Sequence, residues 1–352
     1  MELNVTGRSV LVLDGSPRAI VTVAALLREG AAVTVAAPTV CAGLEDLALR
    51  RRLTWVTAPV DETVFDVVLR AVAPPTTDAP ARTDRAGHVT LVGAGPGDPG
   101  LVTVAGRAAI EQADVIVADR LAPWEALAWA RPDAEVVDVA KIPYGRSTSQ
   151  EEINRLLVSH ARAGRHVVRL KGGDSYVFGR GFEEVAACAD AGVATTVVPG
   201  VTSSVAGPEL AGIPVTHRGL VQGFTVVSGH VPPGHPDSSV DYPALARCGT
   251  TIVVLMGVRT LPAIVEALIA ADMDEDTPCA VVADASLASQ QVVHSTLAHV
   301  VDDIASAGIG APAVAVIGHV AALGERHLQR LHRATEPRPA QAVVTAAAPF
   351  PA

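Results

Sequence analysis

Four short segments of the sequence combine residue types suited to gripping a polar ligand through backbone and short side chains. The first is Gly93-Ala94-Gly95-Pro96-Gly97-Asp98-Pro99-Gly100. Read as GxGxxG it is a poor dinucleotide fingerprint, because the third glycine is out of place and Pro96 and Pro99 stiffen the loop. A rigid loop that lets a ligand approach its backbone and an ordinary tight turn are equal readings of it. The second segment, Arg169-Leu170-Lys171-Gly172-Gly173-Asp174, puts a glycine pair and a carboxylate together, followed by Val177-Phe178-Gly179-Arg180-Gly181. The third, Pro199-Gly200-Val201-Thr202-Ser203-Ser204, offers amides and hydroxyls at a helix start; a simple N-cap is the alternative. The fourth, Gly212-Ile213-Pro214-Val215-Thr216-His217-Arg218, is rich in donors.

Each of the first three segments ends a short run of the kind that forms a buried strand, and the fourth ends another element. HVTLVGAG, DVIVAD, HVVRLKGGD, VATTVVPG, FTVVSGH, TIVVLMGV, CAVVADAS and AVAVIGHV alternate with helical stretches and end in Gly, Asp, Ser or His. In open α/β sheets ligands bind beyond the carboxyl ends of strands, so these endings are predicted to gather in one crevice. Composition agrees: 49% of the 352 residues are hydrophobic and only 3% aromatic, the Val- and Ala-rich diet of an α/β core.

A net charge of −10 argues against a nucleic-acid groove, which needs a basic face. Cys41, Cys188, Cys248 and Cys279 are far apart and form no CxxC, so packed thiols in a reducing compartment are expected rather than disulfides or a zinc knuckle. The first residues lack a signal-peptide pattern and no apolar run spans a bilayer, so the protein is expected to be soluble and cytoplasmic, without a membrane partner.

Composition divides the chain at residues 73–87, a Pro/Thr/Asp/Arg linker, and at 333–352, a Pro/Ala tail expected to be disordered. The block 88–332 is the main domain. The block 1–72 opens as strand, helix, strand, a Rossmann-like βαβ remnant. Its turn, Asp14-Gly15-Ser16-Pro17-Arg18-Ala19, keeps one glycine of the dinucleotide fingerprint, which argues against bound NAD.

VGAGPGDPGLVT, ADRL, RLKGGDSYVFGRGFEE, VVPGVTSSVAG, AGIPVTHRG and VVSGH stand in the order and near the spacing of one family. From about His88 to Leu331 the chain resembles the S-adenosylmethionine-dependent tetrapyrrole methylases, in particular their uroporphyrinogen-III branch. The resemblance implies a two-lobed α/β methyltransferase, working as a homodimer without metal. Its reaction would move methyl groups from two S-adenosylmethionine molecules to C2 and C7 of uroporphyrinogen III, giving precorrin-2, the branch point toward siroheme and cobalamin. The front block is similar to the N-terminal NAD-binding domain of siroheme synthases (GRSVLVLDG, LLREGAAVTVAAP, LTWVTAPVDET, FDVVLRAV), without its later part. A vestige lacking dehydrogenase and chelatase activity is expected.

Carried over position by position, the resemblance implies S-adenosylmethionine contacts at Pro96, Gly172, Gly173, Asp174, Val177, Thr202, Ser203, Met256 and Ala285. Asp174 would take the ribose hydroxyls, since a carboxylate accepts two hydrogen bonds. A core methionine is the other reading of Met256. Asp119 matches a family proton acceptor, or caps the next helix; Lys141 matches a proton donor, or is a surface lysine. Arg120, Lys141, Arg146, Arg180, His217, Arg218 and His230 fall near strand ends, and as a set suit the eight carboxylates of the substrate.

Ala118, Ser175, Tyr176, Phe182 and Ala285 stand where the family has other residues, so they bear on the pocket's shape. Competing functions are a later corrin-ring methyltransferase, an NAD-dependent reductase and a non-catalytic S-adenosylmethionine- or tetrapyrrole-binding regulator. The long GRGFEE and THRG motifs favour the early methylation. The eroded Gly15 turn speaks against the reductase, and joint retention of Asp119, Lys141 and Met256 against the regulator.

Overall fold

The structure, a computed structural model, describes residues 4–57, 59–70, 86–139 and 148–324. Most of the predicted linker and all of the predicted tail lie outside them, as do Lys141 and Arg146.

Alternation of Val-rich pentads with short helices builds the front block first. Strands β1 (Ser9–Leu13), β2 (Ala32–Ala36), β3 (Thr54–Val56) and β4 (Val67–Arg70) are separated by helices α1 (Ala19–Arg28) and α2 (Ala42–Leu49) between the first three. They pair in parallel in the order β3-β2-β1-β4. The βαβ expectation thus extends to a four-stranded parallel sheet.

The first lobe of the main block repeats the pattern. It comprises β5 (His88–Gly93), α3 (Val104–Gln112), β6 (Val115–Ala118), β7 (Glu135–Asp138), α4 (Gln150–Arg162), β8 (His166–Lys171), α5 (Gly181–Asp190), β9 (Ala194–Val198) and α6 (Ser203–Leu210). Its sheet runs β7-β6-β8-β5-β9, all parallel. Side chains alternate between faces along each strand. Val89, Leu91, Val115, Val117 and Val167 pack under α4 and α5, while Val92, Ile116, Ala118, Val168 and Leu170 face the other way.

The second lobe comprises β10 (Phe224–Ser228), α7 (Tyr242–Arg247), β11 (Thr251–Leu255), α8 (Leu261–Ile269), β12 (Pro278–Ala283), β13 (Gln291–Thr296), α9 (Val300–Ser306) and β14 (Ala313–Ile317). Here one expectation is corrected. The sheet order is β10-β11-β14-β12-β13, with β14 antiparallel to both its neighbours. The end of the AVAVIGHV run therefore lies beside the start of β12, where the Gly318 amide donates to the Pro278 carbonyl at 2.8 Å. It does not join the crevice. Only β10, β11 and β12 carry their carboxyl ends to one edge.

The front sheet and the first lobe share one hydrophobic cluster. Ile20 and Val23 of α1 and Leu44 and Leu47 of α2 pack with Ile110, Trp124, Ala126 and Leu127. Gly43 has to be glycine there, since a Cβ would lie 2.8 Å from the Trp124 ring.

All four cysteines are free. Burial pushes the Cys41 and Cys279 thiols up to about 12 and Cys188 up to about 11, whereas Cys248 is exposed. The thiolate is the reactive form. An aromatic disulfide reagent at about pH 8 should therefore titrate one thiol quickly in the native chain and four after denaturation. Rapid reaction of two or more native thiols would contradict this packing.

Candidate active site

The carboxyl ends of β5, β8 and β9 meet through glycines. A Cβ on Gly200 would lie 2.3 Å from the Gly173 carbonyl oxygen and 2.4 Å from the Gly93 carbonyl carbon. Gly95 and Gly173 exchange backbone hydrogen bonds of 3.1 and 2.7 Å. On Gly172 a Cβ would run into the Leu121 carbonyl oxygen at 2.6 Å. Four loops, 93–100, 119–122, 172–178 and 199–203, are thus pressed together as bare backbone. The strand ends predicted to gather thus meet in a cradle of backbone, which side chains larger than hydrogen would force apart.

Across from it stands the loop after β12. A Cβ on Gly97 would touch Leu287 at 3.0 Å, and the Asp98 amide donates to Ser286 Oγ at 2.9 Å. Asp284 (φ 49°), Ser286 (φ 74°) and Met256 (φ 58°) all adopt left-handed backbone. Non-glycine residues in that region cost about 1–3 kcal/mol and cluster at ligand clamps. Met256 is also half exposed, which is not how a core methionine sits.

The remaining expected ligand contacts divide. Pro96, Gly172, Gly173, Val177, Thr202, Ser203 and Ala285 line these loops. Thr202 is the N-cap of α6, with its hydroxyl 3.0 Å from that of Ser204. Asp174 braces loops: its two oxygens accept from the Tyr176 amide at 2.8 Å and the Gly200 amide at 2.9 Å. Gly173 has φ +66° and open space at its Cβ position, so Gly173→Ala meets strain without a clash. We expect it to destabilise the fold by about 1–2 kcal/mol, the cost of a left-handed alanine, measured by urea unfolding. A neutral substitution would contradict the backbone conformation.

Beneath the cradle lies a group of charges that the sequence reading missed. Arg169, 1% exposed, points from β8 toward α5, where its Nε meets Glu184 Oε1 at 3.0 Å. Lys171 reaches the same oxygen at 3.2 Å, and Gln150 Nε2 donates to it at 3.2 Å. On its other side Arg169 binds Asp119 at 2.6 Å, with Lys171 3.7 Å from that carboxylate. Burial, with Arg169 beside it, pushes the Lys171 ammonium below the ordinary lysine range. The signal available in the sequence was the pair of cations in an otherwise apolar strand, HVVRLK.

A family model for tetrapyrrole (corrin/porphyrin) methylases matches residues 88–301. The chain belongs to the tetrapyrrole methylase family. The methylase is 43% identical over 235 residues to the uroporphyrinogen-III C-methyltransferase of Methanocaldococcus jannaschii, covering 66% of this chain and 96% of the relative. It is 44% identical over 243 residues to the siroheme synthase of Chromobacterium violaceum, covering 69% of this chain but 51% of the relative, so it spans about half the length of that synthase. Among solved structures it is similar to a Thermus thermophilus uroporphyrin-III C-methyl transferase complexed with S-adenosylhomocysteine. The TM-score is 0.57 at 42% identity, over 66% of this chain and 93% of that one.

Within this methylase the expected substrate-binding cations are dispersed. Arg120 is drawn away from the cleft to Asp46 of the front block, at 2.8 Å. Arg180 forms a two-pronged pair with Glu183, 2.8 and 2.6 Å. His217, Arg218 and His230 are exposed at the surface. Among the described residues no group of three His, Cys, Asp or Glu side chains is placed to hold a metal ion. No helix among them is long and apolar enough to cross a membrane.

Proposed function

We propose that this methylase transfers methyl groups from two S-adenosylmethionine molecules to C2 and C7 of uroporphyrinogen III, releasing precorrin-2 and S-adenosylhomocysteine. The observation that carries it is the glycine cradle formed by β5, β8 and β9 opposite the 284–287 loop, in a chain 42% identical to an enzyme crystallised with S-adenosylhomocysteine. When bound, the donor supplies an electrophilic methyl on a sulfonium leaving group.

The protein's own residues have three tasks. Backbone of the 93–100 and 172–178 loops holds the donor and excludes water, so that carbon, methyl and sulfur lie in line. Asp119, oriented by Arg169 and Lys171, accepts the proton that the cationic macrocycle gives up, from a ring nitrogen or a neighbouring methylene bridge, once the quaternary methylated carbon has formed. His217, Arg218 and His230 meet substrate carboxylates at the mouth, and Lys141 and Arg146 complete that set in our reading.

We also infer a homodimer, supported by exposed Tyr176, Phe178 and Phe182, of which Tyr176 and Phe182 meet edge to face, a concentration of exposed aromatics that ordinary surfaces avoid. We read the setting as reducing and cytoplasmic, a reading that four free thiols support. The domain division is read as a front block ending near residue 72 and a methylase block from 88. In the front block the Thr39 carbonyl sits where a Cβ on Gly15 would be 2.1 Å away, closing the turn over which a pyrophosphate would lie.

An anaerobic incubation with S-adenosylmethionine and uroporphyrinogen III, read by mass spectrometry, should show a gain of two methyl groups. Binding of S-adenosylhomocysteine with no methyl gain would move the assignment to a later corrin ring. Absence of such binding would end the methyltransferase reading.

A further inference from the structure

The front block was expected to be a vestige, yet its helix α2 carries a chain of ion pairs that touches both lobes. Arg120 of the first lobe meets Asp46 of α2 at 2.8 Å. Asp46 meets Arg50, one turn on, with Nε 2.8 Å from Oδ2 at an angle that makes it an ion pair rather than a hydrogen bond. Arg50 in turn donates to Asp284 of the second lobe at 3.1 Å. All four side chains are four-fifths or more buried, so solvent screens these pairs little.

The two ends of this chain are not arbitrary positions. Arg120 adjoins Asp119, and the loop 119–122 packs against Gly172 of the cradle. Asp284 opens the loop that faces Gly97, and it does so in left-handed backbone that needs outside support. Its carboxylate is held by Arg50 on one oxygen and by the Ser289 hydroxyl, 2.9 Å, on the other. Asp138 of β7 adds an anchor, accepting the Gly43 amide of α2 at 2.8 Å.

We propose that α2 is an ionic strap, with Asp46 and Arg50 acting as positioning residues that set the 119–122 and 284–290 loops at their working separation across the cleft. The front block has thereby exchanged a ligand-binding role for a role in holding the methyl-donor site. The proposal rests on the methyltransferase reading for its functional consequence, but the strap itself is a statement about the ligand-free chain.

The test uses the full chain with Arg50→Met, which keeps the stem and removes the charge, alongside Arg50→Lys and Asp46→Asn. Hydrogen exchange of the ligand-free protein should show faster exchange at 284–290 in Arg50→Met and at both loops in Asp46→Asn, with β1, β2 and β4 unchanged. The dissociation constant for S-adenosylhomocysteine, by calorimetry, should rise about tenfold in Arg50→Met, a typical coupling between linked sites, and recover in part in Arg50→Lys. Unchanged exchange in the two loops overturns the proposal, as does altered exchange with unchanged affinity. Faster exchange spread over the whole front sheet with a falling melting temperature overturns it too, because Arg50 would then merely hold the block folded. If the unaltered protein fails to bind S-adenosylhomocysteine, the functional reading fails, and loop exchange alone decides the strap.

Discussion

Glu184→Ala is expected to lower the unfolding free energy by about 3–5 kcal/mol, the usual cost of removing one partner from a buried ion cluster. Glu184 is fully buried and is the anion that Arg169 Nε, Lys171 Nζ and Gln150 Nε2 share. Without it Asp119 remains as the described counter-ion of both cations, and it is 3.7 Å from Lys171. Lys171 already sits where burial disfavours its charge, so the ammonium would be the first group to lose its proton or find water. Glu184→Gln keeps the volume and one acceptor and should lose less. Urea unfolding of the two variants beside the parent chain measures this; a loss below about 1 kcal/mol for the alanine variant would show that the cluster is replaceable.

Asp119→Asn should slow methyl transfer by about 100- to 10,000-fold, the range a positioned general base contributes, while leaving S-adenosylhomocysteine affinity within about twofold. The amide is nearly isosteric and can still accept from Arg169, so the loop that packs on Gly172 keeps its shape. What it loses is the capacity to take the proton that the methylated macrocycle must give up from a ring nitrogen or methylene bridge to become neutral. Single-turnover kinetics with mass detection separates this from a binding defect. Turnover within threefold of the parent would make Asp119 a structural partner of Arg169 and leave positioning of donor and acceptor as the main source of rate.

The value of Asp119 shows why the buried cluster matters to the chemistry as well as to the fold. Its carboxylate is about a third exposed, open enough to meet a substrate, yet one oxygen is held at 2.6 Å by a guanidinium that has itself no freedom to move. A base fixed in this way loses little orientation entropy when the substrate arrives. The strength of the restraint comes from α5, whose Glu184 locks Arg169 from the opposite side.

Much was legible in the residues themselves. Short continuous apolar runs ending in Gly, Asp, Ser or His located β5, β8, β9, β10, β11 and β12, because apolar content and strand-ending residues are properties of the local chain. Glycines at 93, 95, 172, 173 and 200 read as points of close backbone approach for the same reason: absence of a Cβ is written in the residue, and only the identity of what comes close awaits the fold. Six motifs in register carried the family, and with it the reaction class.

Pairings between distant residues were another matter. Arg120 reads as a substrate ligand until sheet order brings α2 alongside and Asp46, 74 residues away, claims it. Asp174, read as a ribose acceptor, is seen also to brace two loops only once the fold brings Gly200 of β9's exit loop to donate to it. The end of β14 reads as part of the crevice until its antiparallel pairing turns it to the opposite edge. Nothing in the sequence marks Arg169 and Glu184 as partners until both are seen buried against each other. The physical reason is common to all four. A residue's type fixes what it can donate, accept or leave empty, whereas Coulomb and hydrogen-bond energies act only over a few ångströms. Which partner comes within that reach is settled by strand direction and order, which only the folded chain possesses.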